Sequence, residues 1–295
     1  MDPWVNFNGE VIPSEKAHVH IYDHGFLYGD GAFDTCRVYG GRVFKLREHI
    51  DRLFRSAHAL FIPLPYTQQE VEHAVQDLVK RNSVQDGYIR ITLTRGVGLG
   101  LDPKQFQDDN VPPTLVISTD ELALYPEEAY ETGLEMVTVS TRVTSPEALD
   151  TRIKSLGHYL ANIQAKLEAN RVGAGEGLML NTQGYVSEAT GDNIFLVREG
   201  RIVTPPPAAG ILEGITRATV MDLAKTREYQ MDEVMLTLVD VYWADECFLT
   251  GTAAEVIPVV RVDGRTIGNG KSGPVTKDLI QAFRELTRTE GVVEC

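Results

Sequence analysis

Cysteine is scarce in this chain: Cys36, Cys247 and Cys295 are the only three in 295 residues. Their wide spacing matches neither a disulfide framework nor a zinc-binding pattern. Positive charge is also in deficit, with 28 Lys and Arg against 42 Asp and Glu and a formal net charge of −14. Nucleic-acid phosphates call for clustered Lys and Arg, so this balance argues against such a partner, although a few local cations can still hold a small anion. No apolar run approaches membrane-spanning length. The opening Met1-Asp2-Pro3-Trp4-Val5-Asn6 has no basic segment leading into an apolar one. The expectation is a cytoplasmic protein without membrane or nucleic-acid partners. What is present is ordinary for a globular protein: 43% hydrophobic and 24% charged residues, with a length that allows two cores.

The first part of the chain alternates short strand patterns with helical ones. Trp4-Val5-Asn6-Phe7, a turn at Asn8-Gly9 and Glu10-Val11-Ile12-Pro13 read as a hairpin. His18, His20 and His24 alternate along an apparent strand, and with no cysteine or acidic ligand pattern beside them no metal is expected. Tyr28 to Tyr39 reads as a strand returned by Gly40-Gly41. Residues 48–61 carry Ile50, Leu53, Phe54, Ala57 and Leu60 on one helical face. A second helix is expected over 68–81, then a strand that puts Tyr88 and Arg90 on one face. Gly96-Val97-Gly98-Leu99-Gly100-Leu101 lacks the order of a dinucleotide loop and precedes Asp102-Pro103 rather than a helix, so it is expected to be a loop. Domains are expected over 1–119 and 132–295, with a connection over 120–131.

The second part carries the chemistry. In Thr151-Arg152-Ile153-Lys154-Ser155-Leu156-Gly157-His158-Tyr159, Lys154 lies where a strand-like alternation meets a helical pattern; Leu156, Leu160, Ile163 and Leu167 predict the helix's buried face. Further on come Glu188, within Gly184-Tyr185-Val186-Ser187-Glu188-Ala189-Thr190-Gly191-Asp192-Asn193, then Leu212-Glu213-Gly214-Ile215-Thr216-Arg217, then Thr250-Gly251-Thr252-Ala253-Ala254-Glu255. Singly, each has an ordinary explanation: a solvated lysine, a strand-edge acid, a helix start. Together they supply a lysine for a Schiff base, an acid for a pyridinium nitrogen and small-residue turns for a phosphate, the parts of a pyridoxal 5'-phosphate (PLP) site.

The run from Tyr22 to about Thr276 resembles the fold-type IV (class IV) PLP-dependent aminotransferases, and within them the branched-chain amino acid aminotransferases. The resemblance implies an α/β (α+β) fold, with a small N-terminal α/β domain and a larger, β-rich C-terminal domain joined by an interdomain loop. It also implies transfer of the amino group of leucine, isoleucine or valine to 2-oxoglutarate, in a homodimer or an assembly of dimers. Lys154 would be catalytic. Arg52, Tyr159, Glu188, Asn193, Leu212, Gly214, Ile215, Thr216 and Thr252 would hold the cofactor with it. Tyr28, Phe33, Arg37, Tyr88, Arg90, Thr252 and Ala253 would line the substrate pocket.

One departure stands out. The family usually reads Phe-Glu-Gly-Ile-Arg where this chain has Phe33-Asp34-Thr35-Cys36-Arg37. That form is commoner in D-amino acid aminotransferases and aminodeoxychorismate lyases of the same fold, which stand as the alternative. Thr35 joins the expected substrate-binding residues and puts substrate range, not cofactor chemistry, in question.

Overall fold

The computed structural model describes residues 3–102, 106, 111–121 and 125–292. They divide into two compact units, one lying within residues 1–122, 153–157 and 287–295 and the other within residues 123–152 and 158–286. The short segment carrying Lys154 therefore packs with the N-terminal unit.

The first unit is built on β1 (Trp4–Phe7), β2 (Glu10–Pro13), α1 (His24–Tyr28), β3 (Gly31–Tyr39), β4 (Arg42–Val43), α2 (Leu46–Ala59), α3 (Gln68–Arg81), β5 (Gly87–Thr94) and β6 (Thr114–Asp120). Six strands pair antiparallel in the order β2-β1-β6-β5-β3-β4. Asn8 and Gly9 both have positive φ (53° and 87°), the combination that a two-residue hairpin turn demands. Leu46, Ile50, Leu53 and Ala57 of α2 and Val71, Val75, Leu78 and Val79 of α3 form one core with Cys36, Ile89, Ile91 and Ile117 of the sheet. A Thr67/Glu70 capping box starts α3.

Tyr28 is helical, not part of the following strand as its pattern predicts. The Asp23 carboxylate caps α1 by accepting from Gly25 N at 2.8 Å, Gly29 ends the helix at φ 68°, and pairing with β5 begins only at Gly31. His18 and His20 likewise lie outside any strand. His24 Nδ1 meets Asp30 at 3.0 Å, and among the described residues no His, Cys, Asp and Glu group is arranged to hold a metal.

The second unit comprises α4 (Glu127–Thr132), β7 (Leu134–Arg142), α5 (Tyr159–Arg171), β8 (Glu176–Leu180), β9 (Val186–Ala189), β10 (Asn193–Arg198), β11 (Arg201–Thr204), α6 (Ile215–Thr226), β12 (Met231–Glu233), α7 (Leu238–Tyr242), β13 (Glu246–Gly251), β14 (Glu255–Val262), β15 (Arg265–Thr266) and most of α8 (Pro274–Thr289). Its nine-stranded sheet runs β12-β11-β10-β13-β14-β7-β8-β9, with β15 on β14.

Two expectations fail here. No strand precedes Lys154, because residues 143–153 form turns and irregular backbone. The predicted apolar face of α5 points outward: Leu160, Ile163 and Leu167 are 67%, 55% and 46% exposed, while Ala165 and Ala169 are fully buried. The reason is close approach. A Cβ on Gly177 of β8 would lie 3.3 Å from Ala165 O, so only small side chains fit between helix and sheet. Among the described residues, no helix is long and apolar enough to cross a membrane.

Candidate active site

In the first unit, Lys154 is buried and its backbone is held on both sides. Lys154 N donates to Ser56 Oγ at 3.1 Å, and Lys154 O accepts from Phe33 N at 3.0 Å. Its Nζ lies 4.9 Å from the centre of the Phe33 ring, and Arg90 Cζ lies 4.0 Å from the same centre. Both side chains therefore lie over one aromatic ring. Arg90 is further steadied by Nε, which donates to Thr92 Oγ1 at 3.2 Å.

Strand alternation sorts the residues of β3. Cys36 enters the core and Asp34 meets α2, which leaves Phe33, Thr35 and Arg37 on the opposite face. Their partners on β5 are Thr92, Arg90 and Tyr88, so five of the expected pocket residues share one sheet surface. Tyr28 lies half exposed at the end of α1.

Arg52 sits otherwise than a phosphate-gripping residue seen in isolation. Its Nε and Nη2 both donate to the Asp34 carboxylate at 2.8 Å, and His49 Nδ1 lies 2.7 Å from the same group. Burial alone would push the Asp34 carboxyl up, but Arg52 and His49 outweigh it and hold it far below the usual carboxylate range. Burial keeps His49 below its ordinary value despite Asp34, with the charges of Arg52 and Lys154 acting in the same direction. An ionised Asp34 only accepts, so the neutral imidazole carries its proton on Nδ1.

The second unit holds the remaining expected residues. Glu188 Oε2 accepts from Asn193 Nδ2 and from Leu212 N, both at 2.9 Å, and Asn193 Nδ2 also donates to Leu212 O at 2.9 Å. A single amide thus ties the acid to the backbone two residues before Gly214. Gly214 is the N-cap of α6 and supplies no side-chain cap, so Ile215 and Thr216 open the helix with unsatisfied N–H donors. Thr252 and Ala253 lie in the turn from β13 to β14. Tyr159 is the half-buried first residue of α5.

Sequence reading missed Asp34, His49 and Ser56. Their signal was present: a charged residue between Ala32 and Cys36 at a core-facing strand position requires buried partners, and α2 offers His49, Arg52 and Ser56 at helical spacings of three and four.

A family profile described as "Amino-transferase class IV" matches residues 31–262. The chain belongs to the class IV aminotransferases. A protein of Methanocaldococcus jannaschii, provisionally named a branched-chain-amino-acid aminotransferase, is 43% identical over 289 residues, covering 98% of either chain. The crystal structure of the Escherichia coli branched-chain amino acid aminotransferase is 35% identical, with a TM-score of 0.93 over 97% of this chain and 95% of that one. The branched-chain amino acid aminotransferase of Thermobaculum terrenum, solved in its PLP form, is 30% identical, with a TM-score of 0.87 over 97% and 94% of the two chains. The fold is that of the fold-type IV enzymes, and class IV aminotransferases use PLP.

The donor set in this aminotransferase suits that cofactor. It offers a buried lysine amine, a carboxylate oriented by two N–H donors, and an uncapped helix start that favours an anion. Two glycines of the second unit permit close packing: a Cβ on Gly214 would collide with Asn193 Oδ1, and one on Gly251 with Asp192 Oδ1.

Proposed function

We infer that this protein transfers the amino group of branched-chain L-amino acids, leucine, isoleucine and valine, to 2-oxoglutarate. The observation that carries the reading is Lys154, buried, fixed through its backbone and set against the Phe33–Arg90 pair, in a chain of this family. Bound PLP supplies the electron sink that makes the substrate Cα proton removable. Lys154 would hold the cofactor through its amine and, once displaced by the substrate amine, would take the proton from Cα as base and deliver it as acid to C4′ of the cofactor. Glu188, oriented by Asn193 and Leu212 N, pairs with the ring nitrogen, and Leu212 packs on the ring. Tyr159 hydrogen-bonds the phenolic oxygen. The N–H groups of Ile215 and Thr216, the hydroxyls of Thr216 and Thr252, and Arg52 hold the phosphate.

Thr252 and Ala253 amides hold the substrate carboxylate. Phe33, Tyr28, Tyr88 and the methyl of Thr35 receive the branched side chain, and Arg37 and Arg90 receive the second carboxylate of glutamate. The protein works on small amino and 2-oxo acids in the cytoplasm, apart from nucleic acid and membrane, as a homodimer or an assembly of dimers. Support for association comes from exposed apolar residues in the first unit, Ile21 (64%) and Phe26 (72%) among them, and from Leu99 and Leu101 of the 96–101 loop. A fully active monomer in sedimentation would contradict it.

Steady-state kinetics with L-leucine, L-isoleucine, L-valine, D-alanine and aminodeoxychorismate test the substrate reading. The highest kcat/KM is expected for a branched L-donor with 2-oxoglutarate. A preference for D-alanine, or release of pyruvate from aminodeoxychorismate, would overturn it.

A further inference from the structure

The Asp34 carboxylate is fully buried and surrounded by donors: Thr35 N and His49 Nδ1 at 2.7 Å, and Arg52 Nε and Nη2 at 2.8 Å. A buried ion pair of this kind gives little net stability over a well-packed apolar replacement, because both charges are taken out of water. Its worth lies elsewhere. An arginine side chain has many rotamers, and a bidentate bond to a carboxylate that cannot itself move leaves one of them. The planar guanidinium then has a fixed orientation, with its Nη1 edge turned away from Asp34. Asp34 is held from three directions, by its own strand and by two successive turns of α2. Ser56, one turn beyond Arg52 on the same helix, fixes Lys154 N. The helix that carries Arg52 therefore also sets the position of Lys154.

We propose that Asp34 is a positioning residue that presets the Arg52 guanidinium as the arm for the cofactor phosphate. The proposal rests on the assignment of Arg52 to that phosphate. Because the charges of Asp34 and Arg52 cancel, Arg52 contributes direction rather than bulk positive potential. Lysine at position 52 would keep the charge and lose the fork.

The test is a fluorescence titration of the full-length chain, freed of cofactor, with PLP and with pyridoxal, which lacks the phosphate. In Asp34→Asn the ratio of PLP affinity to pyridoxal affinity should fall by about tenfold or more, the worth of one charge-assisted hydrogen bond. Pyridoxal affinity should stay near that of the wild type, and Asp34→Glu should keep most of the ratio. Arg52→Lys should lower the ratio as Arg52→Met does, and this arm stands even where Asp34→Asn does not fold. Equal losses for both ligands in Asp34→Asn would mean a merely structural role and overturn the proposal. So would an unchanged ratio in Asp34→Asn or Arg52→Lys while Arg52→Met loses it. An unchanged ratio in Arg52→Met would instead show that Arg52 does not touch the phosphate, and would remove the assignment together with the proposal.

Discussion

A lysine that must hold a cofactor and also move a proton needs a fixed backbone and a side chain able to swing. Lys154 has the first through Ser56 Oγ and Phe33 N, and its Nζ lies 4.9 Å from the centre of the Phe33 ring. Borohydride reduction of the holoenzyme followed by peptide mapping should leave the pyridoxyl group on Lys154. A label on Lys166, which is engaged with Glu176 at 2.8 Å, would sink the assignment. Lys154→Ala should lose roughly 10²- to 10⁴-fold or more in transamination rate, the range of a general acid–base group, while still binding PLP non-covalently. Thr35 is the residue where the chain leaves the usual family pattern, and β3 puts it beside Phe33 and Arg37, opposite Arg90. Thr35→Gly should raise kcat/KM for leucine relative to alanine by about 1–3 kcal/mol of discrimination, the worth of a methyl-sized group in a pocket. An unchanged ratio with lower stability would mean that Thr35 serves the backbone instead.

Among the elements, those whose apolar periodicity coincides with their packing were legible from the sequence. Both α2 and α3 lie within two residues of their expected bounds, because Ile50, Leu53 and Ala57, and Val71, Val75 and Leu78, repeat toward one core. Helix α5 was legible as a helix but not in its orientation. Periodicity finds a stripe and cannot say which side of the helix is buried, and here the alanines face β8 while the leucines face out. Ala165→Leu should therefore overpack that contact and cost about 1–3 kcal/mol in denaturant unfolding, whereas Leu160→Ser should be near neutral in the separated subunit. The polar stripe of α2 was hidden because Arg52 reads alone as a surface or phosphate-binding residue; only pairing with Asp34 makes it buried. That pairing has a pH signature. The folded-state pKa of Asp34 is depressed, so its stabilising contribution is present above the unfolded value of about 4 and is lost as pH falls below it. Acid unfolding of Asp34→Asn should show a shallower decline below about pH 4 than the wild type, and an identical decline would mean that Asp34 is not ionised in the native protein.

For the whole molecule, motif order carried the functional reading further than any local pattern did. Lys154, Glu188, Gly214-Ile215-Thr216 and Gly251-Thr252-Ala253 are spread over about a hundred residues, and each alone describes an ordinary turn or helix start. The structure sorts them by unit. The lysine stands with Phe33, Arg90 and the Asp34–Arg52 pair, and the acid with Asn193, Leu212 and the start of α6. Sequence could not supply that grouping, since a five-residue segment packing with a distant part of the chain leaves no periodic trace. The central claim, transamination of branched-chain L-amino acids, is tested most directly by following the cofactor's absorbance through the two half-reactions in the purified holoenzyme. L-Leucine alone should convert the pyridoxal form to the pyridoxamine form and release one equivalent of the 2-oxo acid, and 2-oxoglutarate should then restore the starting spectrum. Conversion by D-alanine and not by L-leucine, or no conversion by any amino acid, would contradict the account.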